Sequence, residues 1–321
     1  MPLTTSDVHV DQALSNVSIA YAQEQNRFIA SQVFPSVNVS HLSNKYHIFS
    51  KDAYLRSEAG LRAPGSRSRT ANFQLSTGTY SCEEYGVAMN VDDLVAANAD
   101  AGLDILTSTT RYVTEQLLLK RDQVFAAAAF TINVWTGSTT GGDITPGTLW
   151  SASGGTPIKD IQTQQDAVES KTGRKPNVLV LGSDVYTALR DSDDILDRVK
   201  YSERGILTTD LMASIFGVDK VIVAAPIVNS GPEDGTASYG RVFDADDALL
   251  CYVPDAPGLM TPSAGYMFSF TGVSGAYQFE GLRTRRYRQE AMHSERIEAL
   301  SAFDFAVTGA DLGVFFNECV A

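Results

Sequence analysis

Residues 51–75 read KDAYLRSEAGLRAPGSRSRTANFQL. Five basic residues (Lys51, Arg56, Arg62, Arg67, Arg69) stand against two acids (Asp52, Glu58). That is a local charge of +3 in a 321-residue chain whose formal net charge is −13. The stretch has no apolar period, and Gly60, Pro64 and Gly65 interrupt its middle. From Lys51 to about Tyr85 there is no helical signal. Only the second half, TANFQLSTGTYSCEEYG (70–86), has the β-branched and aromatic content of strands. Unstructured loops this long are uncommon in compact domains unless they serve something outside them. Two strands of about 15 residues each would reach on the order of 50 Å at ~3.3 Å per residue. A basic arm that cannot bury itself predicts an acceptor surface elsewhere.

The segments around it are easier to read. Val10, Ala13, Leu14, Val17, Ala20 and Tyr21 fall at helical spacing over 8–22, with Asp7 as the expected N-cap. In FIASQVFPSVNVS (28–40), Pro35 and the alternating Val33, Val37 and Val39 predict an extended, edge-like segment lying on something other than its neighbours in sequence. The strongest helix spans about 103–130, some 42 Å at ~1.5 Å per residue, with Asn98 or Asp100 as its cap and Asp104 at the positive dipole end. Residues 131–156, rich in Thr, Gly and Ser around Trp135 and Trp150, read as a hairpin or ordered loop.

After this the pattern changes. PIKDIQTQQDAVESKTG (157–173) is a helix stopped by glycine, NVLVLG (177–182) a buried strand, and SDVYTALRD (183–191) a helix capped by Ser183 or Asp184. TTDLMASIFG (208–217) is another glycine-stopped helix, followed by buried strands in VDKVIVAAPI (218–227) and DDALLCYVP (246–254). Seventeen acids against ten bases give this α/β segment, 157–257, a charge of −7. It reads as a subdomain inserted between two parts of another. Residues 258–321 return to antiparallel strands and end in the apolar ADLGVFFNECV (310–320). The chain class is therefore α+β.

The chemistry-bearing residues assemble no site. The net charge argues against a general nucleic-acid binder, which needs a basic face. No run reaches the length of a membrane-spanning helix, and MPLTTSDVHVDQ (1–12) lacks the pattern of a secretory leader. Cys82, Cys251 and Cys319, odd in number and far apart, read as reduced, buried thiols in a cytoplasmic setting. HSERIE (293–298) lacks the second histidine of a zinc helix, and GVSGA around Ser274 lacks the last glycine of a nucleophile elbow. Gly182 is the single glycine of its strand–helix turn, too few to cradle a phosphate beside Asp184. DSDD (191–194) and DADD (244–247) lack calcium-loop spacing and read as solvated turns. In RTRRYRQE (283–290), a strand puts Arg283 and Arg285 on one face and Arg286 and Arg288 on the other. This favours ion pairing within an acidic protein over a phosphate-binding stripe. No catalytic, cofactor or metal residue is expected.

The order of these parts resembles the major capsid proteins of tailed bacteriophages, the Hong Kong ninety-seven fold, over nearly the whole chain. Its carriers are SNVSIAYAQ (15–23) and FIASQVFPSVNVS (28–40), RAPGSRSR (62–69) and TGTYSCEEYG (77–86). They continue with PIKDI (157–161), GRKPNVLVLGSDVYTALR (173–190), GILTTDLMASIFGVDKVIVA (205–224) and ADLGVFF (310–316). The resemblance implies an N-terminal arm at 1–48 and an extended β-hairpin loop at 49–86, both expected to find their partners on other copies of the chain. A peripheral domain with a spine helix would comprise 87–155 and 258–321, and an α/β axial domain 156–257. It implies a structural protein, not an enzyme, that assembles as hexamers and pentamers into an icosahedral shell around double-stranded DNA in the host bacterial cytoplasm. A net negative lining would then avoid binding that DNA.

Expected inter-subunit contacts are Arg56, Arg62, Arg67, Arg69, Phe73, Tyr80 and Tyr85, with Arg283, Arg285, Arg286 and Arg288. No long acidic helical leader precedes the arm, so either the scaffolding protein is separate or the start of the chain is a processed one; a portal and optionally a decoration protein are the further expected partners. Lys51 and Asn317 supply the residue types of the lysine–asparagine cross-link of some members, without a motif that aligns them. The alternative is an encapsulin-like cellular shell of the same fold, distinguished by a docking groove for cargo peptides.

Overall fold

The computed structural model describes residues 27–72, 74–99, 104–199, 207–232, 235–258, 261–272 and 282–321. The helix expected over 8–22, the contact residue Phe73 and Ser274 lie outside these.

The arm's second half is built into its own subunit, which corrects the expectation that it lies elsewhere. Helix α1 (Ala30–Val33) and its flanks bury Phe28, Ile29, Ala30, Val33 and Phe34. Phe34 meets Phe125 edge-on at 5.1 Å. Strand β1 (Ser36–Val39) then pairs in parallel with residues 267–270 and forms a sheet edge, as Pro35 and the alternating valines predict. A run of five buried apolar residues finds its partners at once, so this part of the arm is core.

The ribbon comes next. Strand β2 (Ser43–Phe49) pairs with β3 (Leu75–Ser81) from Ser43↔Ser81 to Phe49↔Leu75. Seven residues a side span about 23 Å at ~3.3 Å per residue, half the reach expected. A short helix, α2 (Lys51–Leu55), sits where no helix is predicted. The ribbon's first strand also starts ahead of residue 49, so pairing draws on the segment assigned to the arm.

The peripheral part follows with β4 (Glu83–Asp92), α3 (Asp93–Ala97) and the spine α4 (Ile105–Ala129), about 38 Å long. Residues 105, 109, 113, 117, 121, 125 and 129 step by fours and are buried, the stripe that a straight helix lays on a sheet. Its cap is Asp104, whose carboxylate accepts from Thr107 N at 3.1 Å. Asn98 instead ends α3, and Asp100 lies outside the described residues. Residues 131–156 form an ordered loop with one isolated bridge, Ile144↔Phe316, and both tryptophans are buried.

The axial part holds α5 (Pro157–Thr172), β5 (Val178–Gly182), α6 (Ser183–Arg190), α7 (Asp193–Val199), α8 (Thr209–Phe216), β6 (Lys220–Ala224), the small hairpin β7 (Ile227–Asn229) with β8 (Tyr239–Arg241), and β9 (Ala248–Cys251). Helices α5 and α8 end on left-handed glycines, Gly173 (φ 69) and Gly217 (φ 66), as expected. No side chain caps α6: Gly182 holds the cap position, against the expectation of Ser183 or Asp184. Part of the DSDD run is the start of α7 rather than a turn.

Strands β10 (Gly265–Phe270), β11 (Leu282–Gln289) and β12 (Ser294–Val307) complete the peripheral sheet in the order β1-β10-β12-β11, with β4 on the other edge of β12. The last strand, β13 (Gly313–Phe316), crosses over. It pairs with β9, giving an axial sheet in the order β13-β9-β5-β6. The chain's end therefore belongs to the axial sheet, not to the returning peripheral strands. One core spans both parts, from Phe34, Phe125 and Phe305 to Val180, Leu249 and Phe315.

Candidate assembly surfaces

The ribbon's root is bound to its own subunit. Tyr46 and Tyr80 both stack on Phe268, at 5.5 and 4.5 Å. Ser81 N donates to the Asp304 carboxylate at 2.9 Å. Burial pushes the Tyr80 hydroxyl pKa up. Tyr85 lies against Phe303 at 5.1 Å with the Lys120 ammonium over its ring at 5.5 Å. Tyr80 and Tyr85, expected at an inter-subunit contact, thus place their rings inside the subunit. Alternation alone marks a buried strand residue without saying whose core receives it.

Beyond the root the character reverses. Residues 56–72 have no regular secondary structure and almost all are exposed, Leu61 completely so. Arg56 reaches only its neighbour Glu58, at 3.7 Å, and Arg62 donates to Ser66 O at 2.6 Å. Arg62, Arg67 and Arg69 have no carboxylate partner among the described residues. No acid among the described residues answers the charge of these three guanidiniums, which project from an acidic subunit.

The second basic cluster behaves differently. Arg285 pairs with Glu298 directly across the ladder at 2.5 Å, Arg286 pairs with Glu295, and both Nη atoms of Arg288 donate to the Asp93 carboxylate. Hydrogen bonds from Arg288 and Arg286 hold the Asp93 and Glu295 carboxyl pKa values below the usual range. Ion pairing with acids of the same chain, the reading favoured for this run, accounts for three of the four arginines. Arg283 stands opposite Leu300.

Two buried polar residues were missed. Arg121 and Asp122 interrupt the spine's apolar face. Asp122 is fully buried and accepts from Ile29 N and Ala30 N, both at 3.0 Å. It holds the arm's first turn by its two open amides. The signal available was a pair of charged residues at core positions of a strong helical period.

The remaining candidates resolve as structure. Lys51 pairs with Asp311 at 2.5 Å, and Asn317 N donates to Ile144 O. Asp244, Asp246 and Asp247 bring their carboxylates within 4.8 Å of one another. Asp247 accepts from Glu318 N at 2.9 Å, securing the C-terminal segment. Gly182 is glycine because the backbone of Asp244 and Ala245 crosses where a Cβ would lie. Burial pushes the Cys82 thiol up to about 11, Cys251 to about 12 and Cys319 higher still. All three are free and buried. At pH 8 an aromatic disulfide reagent is expected to titrate no thiol in the native protein and three after denaturation. Rapid native titration of even one would contradict this burial.

Ribbon, spine, strand-edged peripheral sheet and axial α/β sheet together make the tailed-phage major capsid fold. A phage-related protein from Bordetella bronchiseptica RB50 has a solved structure at TM-score 0.69 and 23% identity, covering 97% of each chain. The capsid of a native GTA particle matches at TM-score 0.58 and 14% identity, covering 94% of this chain and 93% of that one. These identities speak to fold. The family model described as phage capsid protein matches residues 77–305, and the major capsid protein of Burkholderia phage BcepMu is 26% identical over 247 residues, 76% of each chain. The chain belongs to the phage capsid protein family, and its role is the structural one of a phage major capsid protein.

Proposed function

We propose that copies of this chain assemble as hexamers and pentamers into an icosahedral head shell that encloses double-stranded DNA, built in the host bacterial cytoplasm. A separate scaffolding protein and a portal would be its assembly partners, with a decoration protein as an optional addition to the finished shell. The observation that carries this reading is the loop 56–72. Arg62, Arg67 and Arg69 have no carboxylate partner among the described residues of a subunit of net charge −13, so a second copy can answer them. Each exposed ion pair contributes only about 0–1 kcal/mol. Repetition around a shell sets register, while weak single contacts let misplaced subunits leave. The structural units would be the arm to about residue 42, the ribbon and loop at 43–81, the peripheral part, and an axial part that includes 313–316.

The test reverses the loop's charge. The variant Arg62→Glu/Arg67→Glu/Arg69→Glu changes only exposed residues, so its circular dichroism and melting should match the parent. Electron microscopy should show shells or capsomer rings for the parent and dispersed subunits for the variant. Shells of normal size and yield from the triple variant would remove the loop from the assembly mechanism.

A further inference from the structure

The ribbon is anchored at two separated places. At its root, Tyr46 and Tyr80 clasp Phe268 and Ser81 N is held by Asp304. At its outer end the last rung is Ser50 N to Gln74 O, and the next residue, Lys51, reaches Asp311, 260 positions away. Asp311 stands on a firm post. It lies in a single 3-10 turn, Ala310–Leu312, whose Ala310 O accepts from Thr136 N and whose Leu312 O accepts from Tyr252 N, both at 2.9 Å. Phe49 and Tyr54 meet edge-on at 6.1 Å across Lys51, stiffening the junction from which the ammonium extends.

A two-stranded ribbon clasped at one end can still swing as a lever. A second attachment about 23 Å away removes that swing. We infer that the Lys51–Asp311 ion pair is a strut that fixes the direction in which the ribbon leaves the subunit. It presents loop 56–72 already aimed at the next copy. This rests on the assembly reading above and adds a positioning role for two residues. The benefit is preorganisation: a loop held in its docking direction loses less orientational freedom on binding. The pair is exposed, with side chains 42% and 31% accessible. Its single-subunit effect is therefore modest, about two- to five-fold in the ratio of aimed to swung ribbons.

The experiment uses the full chain in four forms: parent, Lys51→Glu, Asp311→Lys, and the exchange Lys51→Glu/Asp311→Lys. Spin labels at Ser66→Cys in the loop and Ser170→Cys on α5 report their separation in unassembled subunits by pulsed electron paramagnetic resonance. A narrow distribution is expected in parent and exchange variant, and a broadened one in both single reversals. In parallel, the subunit concentration at which shells appear should rise about two- to five-fold in each single reversal and return in the exchange.

Equal breadth in all four forms would overturn the strut, as would an exchange variant that stays broad. Broadening without any change in the assembly threshold would overturn the presenting role. If the parent formed no shells at all, the assembly reading would fall, while the distance distributions would still decide whether the strut exists.

Discussion

Replacing Asp122 with alanine is expected to lower the unfolding free energy by about 2–5 kcal/mol and to release the arm from the spine. The carboxylate is the acceptor for two buried amides, Ile29 N and Ala30 N. Each donor left unsatisfied away from water costs about 1–3 kcal/mol. The loss should appear as a lower urea midpoint and as protease cleavage near Phe28 and Phe34, both buried in the parent. The same residue gives stability a pH dependence. Burial, outweighing the amides of Ala30 and Ile29 and the nearby Arg121, raises the Asp122 pKa to about 6. An unfolded aspartate titrates near ~3.9.

Between those values the folded state binds the extra proton, so this contribution to stability is complete below about pH 4 and is lost as the pH rises through 6. Two pKa units correspond to about 3 kcal/mol. Asp247, also raised to about 6 chiefly by burial, contributes in the same direction over the same window. The exposed Asp104 and the half-buried Asp93 and Glu295 are shifted downward and act in the opposite sense, so the difference between variants is the informative quantity. Asp122→Asn has no titrating group and retains one acceptor. Urea unfolding at pH 4, 5, 6 and 7 should show the gap between parent and asparagine variant narrowing as the pH rises. A gap independent of pH, or an alanine variant within 0.5 kcal/mol of the parent, would refute the role assigned to this carboxylate.

Asp122 also marks where sequence reading stops. Local signals were sufficient for the spine, whose apolar residues recur by threes and fours, and for α5 and α8, which end on glycines that accept a left-handed backbone. They sufficed for the Pro35 segment as an edge strand and for the arginines of β11 as ion-pairing residues. The misses in the core and in sheet topology concern partners distant in sequence, whereas those at helix ends and at α2 are local. Phe34 looks like any apolar residue of an arm until Phe125, 91 positions on, receives it. Strand β13 joins β9 because Gly313–Phe316 is apolar on both faces and the axial sheet has an open edge beside Ala248–Cys251. The cap at Asp104 was assigned to earlier residues because Asn98 and Asp100 are equally good cappers by type, and only the path of the chain selects among them. For the assembly surface, composition gave the loop's charge, but it could not distinguish Arg62, Arg67 and Arg69, which meet no carboxylate among the described residues, from the paired arginines of 285–288.

Trp135→Ala is expected to be the most damaging single truncation, at about 3–5 kcal/mol. The indole is 1% exposed, and its Nε1–H donates to Ala129 O at 2.7 Å, satisfying a carbonyl at the end of the spine. The ring covers Gly313 so closely that a Cβ there would overlap it. Around it Thr136 N and Gly137 N donate to Ala310 O and Gly313 O. Phe130 meets Phe243 and Phe315 edge-on. Removing the ring leaves a cavity at the joint between the spine and β13, where the shared core crosses from the peripheral to the axial sheet. Trp135→Phe keeps most of the volume but leaves the Ala129 carbonyl without its donor, and should lose about half as much. Gly313→Ala attacks the same contact from the other side and should be destabilising in its own right.

The readout is simple because the chain has two tryptophans. In Trp135→Ala the remaining one, Trp150, is buried beside Phe316 at 5.3 Å and reports on the axial part alone. If the junction couples the two parts, its fluorescence in urea separates from the far-ultraviolet dichroism in the variant, while both coincide in the parent. Coincident transitions at an unchanged midpoint would mean that the two sheets hold together without this ring, and that the shared core is bound elsewhere along its length.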